Sequence, residues 1–461
     1  MATKKDLVEA HAFSRRRLVT AFVSGAPGGR EVEPPRPLRA VIGGGALCVL
    51  LLAGAAIAGV FAPRTPEGWL DPKALVASKE KGTLYLVVSE GGSVVLRPFV
   101  NATSAQLLLG EKEVKRAAQD EIDGQTIGAE MGIVGAPSSV PPTSHLVNSG
   151  WSACTSAGNG IRTRIASSPG GVEVDGGATV VQTPDGQHYL LAYAATDHND
   201  DPQAVSFRLP GPDPADVMLG ELGLEQYSDA VPVDPLWLSL FEQYPDPLDA
   251  SAFELGGSGP VDYADELGGG RHRIGDLVSY EGQSYLLTAT GPAELTPFAL
   301  AVYQSARTGS ATRIAQRPGG LVPQREVWPE LWPEQRLTQI PGDACALLAP
   351  RAGEPPAVRL VSDEVADASP DGVPVGSSAV RVEPGRGALV TSGGFGSSTS
   401  RLTYLIDAKG LAYRVEDSAL ANLGFAETPR PVIPDTWLEL FGTGPVLSAE
   451  AAGRQPAAGS R

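Results

Sequence analysis

Hydrophobic residues follow two patterns along the 461-residue chain, with one long run near the start and short runs after it. The long run lies between Arg39 and Arg64, where residues 40–63 carry no charge and are rich in Val, Ile, Leu, Ala and Gly. Because an α-helix rises 1.5 Å per residue, about 20 apolar residues cross the ~30 Å hydrocarbon core of a membrane. The run therefore predicts a single transmembrane helix over residues 40–62.

Short apolar runs bounded by Gly or Ser follow this segment and indicate β-strands. Four of them combine a tyrosine with aliphatic residues: Gly82–Val88, Gly186–Leu191, Gly282–Leu287 and Leu402–Ile406. Each run is predicted to open a small β-hairpin unit. We therefore expect repeat units near residues 82–111, 185–241, 280–304 and 400–441.

One phrase occurs twice, as V-D-P-L-W-L-S-L-F at Val233–Phe241 and as I-P-D-T-W-L-E-L-F at Ile433–Phe441. Recurrence of a turn-bounded phrase with its aromatic residues in register is typical of duplicated structural units. Trp237 and Trp437 occupy the same place in the two phrases. We predict that both anchor a core rather than stack on a ligand.

The four tyrosine runs are too widely and unevenly spaced for a solenoid, so other material must lie between the units. Val172–Thr183 and Ala379–Val390 are the candidates for a central β core. The predicted fold class is mixed α+β and β-rich, with a single N-terminal transmembrane helix followed by an elongated external domain of repeat modules around that core. The apolar pattern ends after Pro445, so residues 448–461 are predicted to form a disordered tail.

The charge of the chain is unevenly distributed. The formal net charge of −17 argues against a nucleic-acid-binding protein, which carries a basic patch or stripe. Residues 1–39 contain eight Lys or Arg and four acidic residues, so this segment is +4 and the remainder is −21. Lys and Arg beside a membrane span stay in the cytoplasm. We therefore predict a cell-membrane protein with a cytoplasmic arm over residues 1–39 and an extracytoplasmic domain over residues 63–447.

A cleaved secretory signal and a buried core helix are the alternatives to this anchor. A signal has an apolar region of about 7 to 15 residues behind a short basic head. Here a 39-residue arm precedes an apolar run of about 23 residues. The lengths favour an uncleaved anchor in the lipid bilayer.

The arm and the span also predict contacts with other chains. Small residues occur four positions apart in two pairs within the span: Gly54 with Ala58, and Ala55 with Gly59. Such pairs let transmembrane helices approach closely, although the general Ala and Gly richness of the chain is an alternative explanation. The arm also contains three consecutive arginines, Arg15, Arg16 and Arg17. We predict that they make charge contacts with partners.

Cysteine positions agree with this topology. Cys48 lies within the span, and Cys154 and Cys345 are the external cysteines. In an oxidising compartment two cysteines favour a disulfide, here one that closes a loop of about 190 residues and contributes up to ~5 kcal/mol. Two unpaired buried thiols are the alternative.

Motifs for catalysis, cofactors and metals are missing from the sequence. The chain contains no Gly-Lys pair for a phosphate-binding loop, no G-x-S-x-G elbow and no H-E-x-x-H motif. Residues 197–201 begin like a calcium loop, but Pro202 stands where Gly is needed and Arg208 where a Glu is needed. We therefore predict no catalytic residue, no cofactor and no metal site, and a solvated acidic loop at Asp197, Asp200 and Asp201.

Several phrases together resemble one protein family. They are F-S-R-R-R-L at Phe13–Leu18, the single span, the long stretch Leu84–Gly110, G-I-V-G-A-P at Gly132–Pro137 and W-S-A-C at Trp151–Cys154. The part of the long stretch around Asn101 is the most specific. In these phrases the chain resembles the EccB family of the type VII (ESX) secretion systems of actinobacteria, and Cys345 lies where that family's second cysteine is expected.

The resemblance implies a structural and assembly subunit rather than a particular reaction. The implied partners are the other core subunits of an oligomeric ESX membrane complex, namely an FtsK/SpoIIIE-like ATPase subunit and a multi-span subunit, and the implied task is export of WXG-type proteins. The alternative is an envelope hydrolase, because some family members carry an ATPase label. The missing nucleotide motifs weigh against an enzyme.

Overall fold

The computed structural model describes residues 3–24, 44–53, 65–155, 160–168, 170–245, 248–306, 311–363, 373–374, 376–399 and 402–456. The chain divides into two compact units, Met1–Pro66 and Glu67–Arg461. Its helices are α1 (Lys4–Ser24), α2 (residues 44–53), α3 (Ala102–Leu109), α4 (Gln119–Asp123), α5 (Pro212–Leu222), α6 (Pro235–Leu238), α7 (Pro297–Ser305), α8 (Asp417–Leu420), α9 (Asp435–Leu438) and α10 (Ala449–Ala452).

The first unit contains α1 and α2, whose described side chains are exposed. None of the described helices combines the length with the apolarity that crossing a membrane requires. The predicted span over residues 40–62 coincides with helical residues 44–53, and the rest of it lies outside the described residues. The membrane span therefore stays a prediction.

The small residues predicted to pack transmembrane helices together also lie outside the described residues. They are Gly54, Ala55, Ala58 and Gly59. No described contact of the chain involves them, so their role in helix packing stays a prediction as well.

The second unit is rich in β-strands, which agrees with the predicted mixed α+β class. The strands are β1 (Leu75–Ser78), β2 (Leu84–Glu90), β3 (Ser93–Pro98), β4 (Val114–Ala117), β5 (Thr126–Ile127), β6 (Trp151–Thr155), β7 (Ile161–Ile165), β8 (Val172–Glu173), β9 (Gly177–Gln182), β10 (His188–Thr196), β11 (Asn199–Arg208), β12 (Val231–Pro232), β13 (Glu242–Gln243), β14 (Leu277–Tyr280), β15 (Gln283–Leu287), β16 (Pro292–Glu294), β17 (Thr312–Arg313), β18 (Thr338–Gln339), β19 (Ala344–Leu348), β20 (Val358–Ser362), β21 (Ser378–Val382), β22 (Ala388–Gly393), β23 (Leu402–Ile406), β24 (Leu411–Val415), β25 (Val432–Pro434) and β26 (Gly442–Thr443).

The four tyrosine runs are strands, as predicted, and they are β2, β10, β15 and β23. Each is the middle strand of an antiparallel meander: β1-β2-β3, β9-β10-β11, β14-β15-β16 and β22-β23-β24. The first three follow a turn with a glycine at positive φ, namely Gly82 (69°), Gly186 (84°) and Gly282 (89°). Glycine adopts this conformation without steric conflict. Each run therefore forms a hairpin with the strand before it and, as predicted, also opens a hairpin with the strand after it.

Short parallel strands extend these meanders. In the sheets with orders β4-β1-β2-β3-β5, β12-β9-β10-β11-β13 and β25-β22-β23-β24-β26, a parallel strand pairs with each outer strand of the meander. The fourth sheet has the order β16-β15-β14-β17, with β17 parallel to β14. β18 pairs in parallel with Gly177 and Ala178 at the beginning of β9.

A fifth sheet, with the order β21-β7-β6-β19-β20-β8, is built from two distant parts of the chain. Each stretch predicted for the central core is divided between sheets: Val172–Thr183 supplies β8 here and β9 elsewhere, and Ala379–Val390 contributes to β21 here and to β22 elsewhere. The chain turns at Gly176 (φ 63°) and Gly385 (φ 76°). At Gly176 a Cβ atom would lie 2.2 Å from the carbonyl oxygen of Arg336, so only glycine fits this turn.

Large aromatic side chains meet in one core to which three sheets contribute residues. Trp151 on β6, Trp237 on α6 and Trp437 on α9 are fully buried there, and the rings of Trp151 and Phe441 meet edge to face with centroids 5.6 Å apart. The Trp237 indole N–H donates to the Ala153 carbonyl oxygen at 2.8 Å, which joins α6 to β6. The burial of both tryptophans agrees with their predicted role as core anchors.

The predicted disordered tail begins instead with a helix. Ser448 caps α10 by accepting a hydrogen bond from the backbone N–H of Ala451 at 3.1 Å. Ala452 is fully buried, and the Arg454 carbonyl oxygen accepts a hydrogen bond from the Gly132 N–H at 3.0 Å. Four helical residues with one cap are too short for an apolar periodicity, so packing rather than pattern orders residues 448–456. Residues 457–461 lie outside the described residues.

A disulfide joins Cys154 and Cys345, as predicted. The two cysteines face each other on the antiparallel strands β6 and β19, with their Cα atoms 4.0 Å apart and a sequence separation of 191. Cys345 is fully buried and Cys154 is 8% exposed, with Val361 packed beside them. The cross-link therefore closes the whole segment between β6 and β19 into a loop.

Replacing Cys154 and Cys345 together with alanine removes this cross-link. We expect the free energy of unfolding of the full chain to fall by about 2 to 5 kcal/mol, because the unfolded chain regains the freedom of a long loop. Chemical denaturation without reductant measures the change. Cys48→Ala is the matched control, since Cys48 is exposed and unpaired, and it should leave the midpoint unchanged. Equal midpoints for all forms would disprove the stabilisation, and recovery of both residues as free thiols in peptide mapping would disprove the pairing.

Candidate functional site

A charged group lies beside the disulfide on the central sheet. Arg162 on β7 is paired across the strands with Cys154. Its Nη2 atom lies 3.1 Å from Oδ2 of Asp363 and 3.5 Å from Oδ2 of Asp343. The Asp363 side chain is only 14% exposed, so the guanidinium supplies the countercharge that a shielded carboxylate needs.

The cysteine sulfur atoms and one carboxylate oxygen of Asp363 lie within 4.8 Å of one another. A thiolate is needed to bind a metal ion, and these sulfur atoms are bonded to each other instead. The Asp363 carboxylate also forms an ion pair with Arg162. The group therefore fits a structural cross-link with an ion pair rather than a metal site.

Only the beginning of the predicted acidic loop is a turn, in which Asp197 and His198 connect β10 to β11. The loop prediction is wrong for residues 199–201, which are the first residues of β11. Asp197 and Asp201 are exposed, as expected for solvated carboxylates. Nε2 of His198 lies 3.2 Å from Oε2 of Glu242 on β13. Burial raises the pKa of the Glu242 carboxyl, while His198 opposes this rise. The fixed contact of this turn is thus made by its histidine, which the sequence reasoning assigned to solvent with the rest of the loop.

The arginines of the predicted cytoplasmic arm, Arg15, Arg16 and Arg17, occupy consecutive positions of α1 with exposed side chains. Consecutive helical residues point about 100° apart. The three guanidinium groups therefore cover a broad sector of the helix surface instead of one narrow face.

Two of the family-like phrases meet in space. Asn101 caps α3 by accepting a hydrogen bond from the Ser104 N–H at 2.9 Å, and its amide nitrogen donates to the Ile133 carbonyl oxygen at 2.9 Å. The Ile133 N–H in turn donates to Ser104 Oγ at 2.9 Å. The phrases at Asn101 and at Gly132–Pro137 thus form one hydrogen-bonded unit, which gives them a structural reason to occur together.

The described residues form two cavities of note. The larger has a volume of about 480 Å³ and is lined by groups that include Arg208, Tyr227 and Asp249. The smaller has a volume of about 240 Å³ and is lined by residues of the segment 323–334 and by Thr296. Neither lining contains a cysteine, a serine or a histidine.

The segment beside the smaller cavity contains a signal that the sequence reasoning missed. Residues 328–334 read W-P-E-L-W-P-E, so a Trp-Pro-Glu triplet occurs twice with a period of four. Both tryptophans and both glutamates line the cavity. A search for short tandem repeats would have found this pair of triplets.

Comparisons with known proteins agree with this fold. The family model described as "Type VII secretion system ESX-1, transport TM domain B" matches residues 1–457. The ESX-1 secretion system ATPase EccB1 of Mycolicibacterium smegmatis (strain MKD8) is 33% identical over 117 residues, which are 25% of this chain and 23% of that protein. The matched region therefore spans less than a quarter of that relative's length.

Solved structures match over more of the chain. A chain of the intact ESX-5 inner membrane complex aligns over 100% of this chain and 97% of its own length, with a TM-score of 0.63 and 20% identity. The EccB3 dimer from the ESX-3 core complex aligns over 83% of this chain and 100% of its own, with a TM-score of 0.60 and 18% identity. At these identities the likeness establishes a shared fold. Because the family model spans nearly the entire sequence, the chain belongs to the EccB family of type VII secretion systems.

Proposed function

We propose that this chain is a structural and assembly subunit of a type VII (ESX) secretion complex in the cytoplasmic membrane, and that it supports export of WXG-type proteins. The observation that carries the proposal is the match of the EccB family model to residues 1–457. The fold likeness to a chain of an ESX-5 inner membrane complex supports membership of an oligomeric assembly. Its partners in the proposal are the FtsK/SpoIIIE-like ATPase subunit and the multi-span subunit.

The proposed topology places residues 1–39 in the cytoplasm, an anchor over residues 40–62 in the bilayer and residues 63–447 outside. The charge distribution supports it, because the basic residues of the arm favour the cytoplasmic side. The disulfide supports an external domain, because such bonds persist in oxidising compartments.

The external domain is proposed to contain repeat modules, each built on an antiparallel meander. Three meanders carry a parallel strand at both edges, and two are followed by the phrases that contain Trp237 and Trp437. Short edge strands leave few unpaired backbone groups, which limits unwanted pairing between sheets. Such modules present separate surfaces to partner subunits.

A hydrolase is the second candidate, because the relative from Mycolicibacterium smegmatis is named an ATPase. This sequence has no Gly-Lys pair, so it lacks the lysine of a phosphate-binding loop. Phosphate release from ATP by the purified full chain distinguishes the two candidates. The assembly role predicts no release above the buffer control.

The proposed topology is tested by single cysteines introduced into a Cys48→Ala background. A cysteine at Ser14 should resist membrane-impermeant maleimide in intact cells and react after the cells are opened, because the arm lies inside. A cysteine at Glu90 should react in intact cells, because that exposed residue lies outside. Labelling of Ser14→Cys from outside intact cells would overturn the topology.

The assembly role is tested in the arm and the span. Replacing Arg15, Arg16 and Arg17 together with glutamine removes charge contacts, and Gly54→Leu with Gly59→Leu blocks close helix approach. Each set is expected to reduce strongly both the recovery of the detergent-solubilised complex and the export of a WXG-type protein. Pull-down with mass spectrometry and secretion assays measure the two effects.

The acidic loop supplies the matched control for these variants. Replacing Asp197, Asp200 and Asp201 with asparagine also changes three charges, yet it should leave complex recovery and export nearly intact. The opposite pattern, with a tolerant arm and span, an essential acidic loop and measurable ATP hydrolysis, would favour the enzyme.

A further inference from the structure

A histidine and a glutamate from different segments of the chain meet at the sheet with the order β12-β9-β10-β11-β13. His198 lies in the turn between β10 and β11, and Glu242 is the first residue of β13. Nε2 of the imidazole lies 3.2 Å from Oε2 of the carboxylate, and the two side chains are 17% and 34% exposed. Because both groups are partly shielded from water, their attraction is screened less than that of a fully exposed pair.

A third segment of the chain lies beside the same imidazole. A Cβ atom placed on Gly396 would lie 3.4 Å from Nδ1 of His198, so the space between the ring and the glycine backbone holds little more than a methyl group. Gly396 belongs to the loop after β22. In this loop the Ser397 N–H donates to the Gly394 carbonyl oxygen at 3.1 Å, and the Gly394 N–H donates to Ser397 Oγ at 3.2 Å. His198 therefore lies between β13 of one sheet and a closed loop of another.

The sheet with the order β25-β22-β23-β24-β26 has no carboxylate at the corresponding place. The two nine-residue phrases end at Phe241 and Phe441, so Gly442 stands where Glu242 stands. A Cβ atom on Gly442 would lie 2.6 Å from Cδ2 of Leu411, which is too close unless Leu411 moves. The ionisable pair is therefore a feature of one sheet and not a requirement of the packing that the two sheets share.

The ionisable groups around Glu242 are a histidine and an aspartate. Burial is the main cause that raises the pKa of the Glu242 carboxyl, and His198 opposes this rise while Asp197 adds to it. The loop over residues 394–397 contributes no ionisable side chain. Glu242 is thus the counter-ion of His198, and Asp197 is a second negative charge near the pair.

The charge of an imidazole depends on pH in the physiological range, because histidine gains its second proton as the pH falls between about 8 and 5. A neutral imidazole forms at most a hydrogen bond with a carboxylate, whereas an imidazolium forms a stronger ion pair. Further acidification neutralises the carboxylate and weakens the pair again. Since the pKa of Glu242 is raised, this loss begins at a higher pH than for an exposed glutamate. The attraction is therefore greatest in weakly acidic solution.

We propose that His198 and Glu242 form a pH-dependent tie, which on mild acidification holds the β10–β11 turn more firmly to β13 and to the loop over residues 394–397. The ion pair fixes the imidazole, and a fixed imidazole keeps its place beside Gly396. The tie is a property of the fold and does not depend on the proposed role in secretion. Under the proposed topology it lies outside the cytoplasm, where it responds to the pH of the surroundings.

A double-mutant cycle at two pH values isolates this pair from the other titrating groups. The unfolding equilibrium constant of the full chain in detergent is measured for the unaltered protein, His198→Gln, Glu242→Gln and the double variant, at about pH 8 and about pH 6. Because folding raises the pKa of Glu242, this residue alone contributes stability that is present at low pH and is lost as the pH rises. Such single-residue effects cancel in the cycle, and the coupling between the two side chains remains.

We expect the coupling to stabilise the folded chain at least about threefold more at the lower pH than at the higher one, because the imidazole is then charged. Coupling that is equal at the two pH values, or greater at the higher one, would overturn the proposal. His145→Gln replaces His198→Gln in the matched control, since His145 is exposed and forms no ion pair with a described acid. This control should show no coupling to Glu242 at either pH, and coupling equal to that of His198 would contradict a local tie.

Hydrogen exchange tests the link to the loop. Exchange of the amides of residues 394–397 is measured by mass spectrometry in the unaltered chain and in Glu242→Gln at the same pH, so that the intrinsic pH dependence of exchange cancels. We expect exchange in the variant to be about threefold faster at the lower pH and nearly unchanged at the higher one, because the carboxylate then no longer fixes a charged imidazole. Equal exchange in the two proteins at the lower pH would overturn the proposal for the loop.

Discussion

The packing of the second unit depends on buried indole groups that donate to the backbone of distant segments of the chain. Trp237 joins α6 to β6 through the Ala153 carbonyl oxygen, and Trp437 donates to the Leu240 carbonyl oxygen just beyond α6. A buried N–H must find an acceptor, so each bond fixes the position of one module against another in a way that apolar contact alone does not. Each copy of the recurring nine-residue phrase therefore positions one part of the chain against another. Its tryptophan ring packs in the shared core, and its indole N–H bonds to one particular backbone carbonyl oxygen.

The central sheet joins the two ends of a long segment of the chain. Its strands β6 and β19 flank the segment that contains the meanders around β10 and β15, and the disulfide joins the two ends of that segment. Side chains add a second tie, because the Tyr193 hydroxyl on β10 bonds both the N–H and the carbonyl oxygen of Leu360 at 3.1 Å. Burial raises the pKa of Tyr193 to about 12, so this tie keeps its proton throughout the neutral range. The meanders around β10 and β15 are thus inserted between β6 and β19, and the disulfide and the Tyr193 hydrogen bonds hold this insertion to the central sheet.

Local features of this fold are predictable from the sequence, and long-range ones are not. The tyrosine runs and the tryptophan phrases carry strand propensity and repetition within a few residues, so their elements and burial follow directly. The pairing of β6 with β19 spans 191 residues and leaves no periodic trace, apart from the cysteines. Val172–Thr183 and Ala379–Val390 are β-rich as predicted, but nothing in their sequences shows that the turns at Gly176 and Gly385 send the two halves of each stretch to different sheets. α10 is ordered by one serine cap and by packing on α3, which no pattern of four residues reveals.

Burial alone does not tell which tryptophans of this chain position neighbouring segments through a hydrogen bond. Trp237 and Trp332 are both almost completely shielded, and both contact other aromatic rings. The difference lies in the indole N–H, which has a backbone acceptor at Trp237 and none among the described residues at Trp332. A satisfied indole ties its ring to one particular backbone oxygen, whereas an unsatisfied indole contributes through burial and ring contacts alone. Hydrogen-bond satisfaction therefore separates the tryptophans that position one segment against another from a tryptophan that only fills the core.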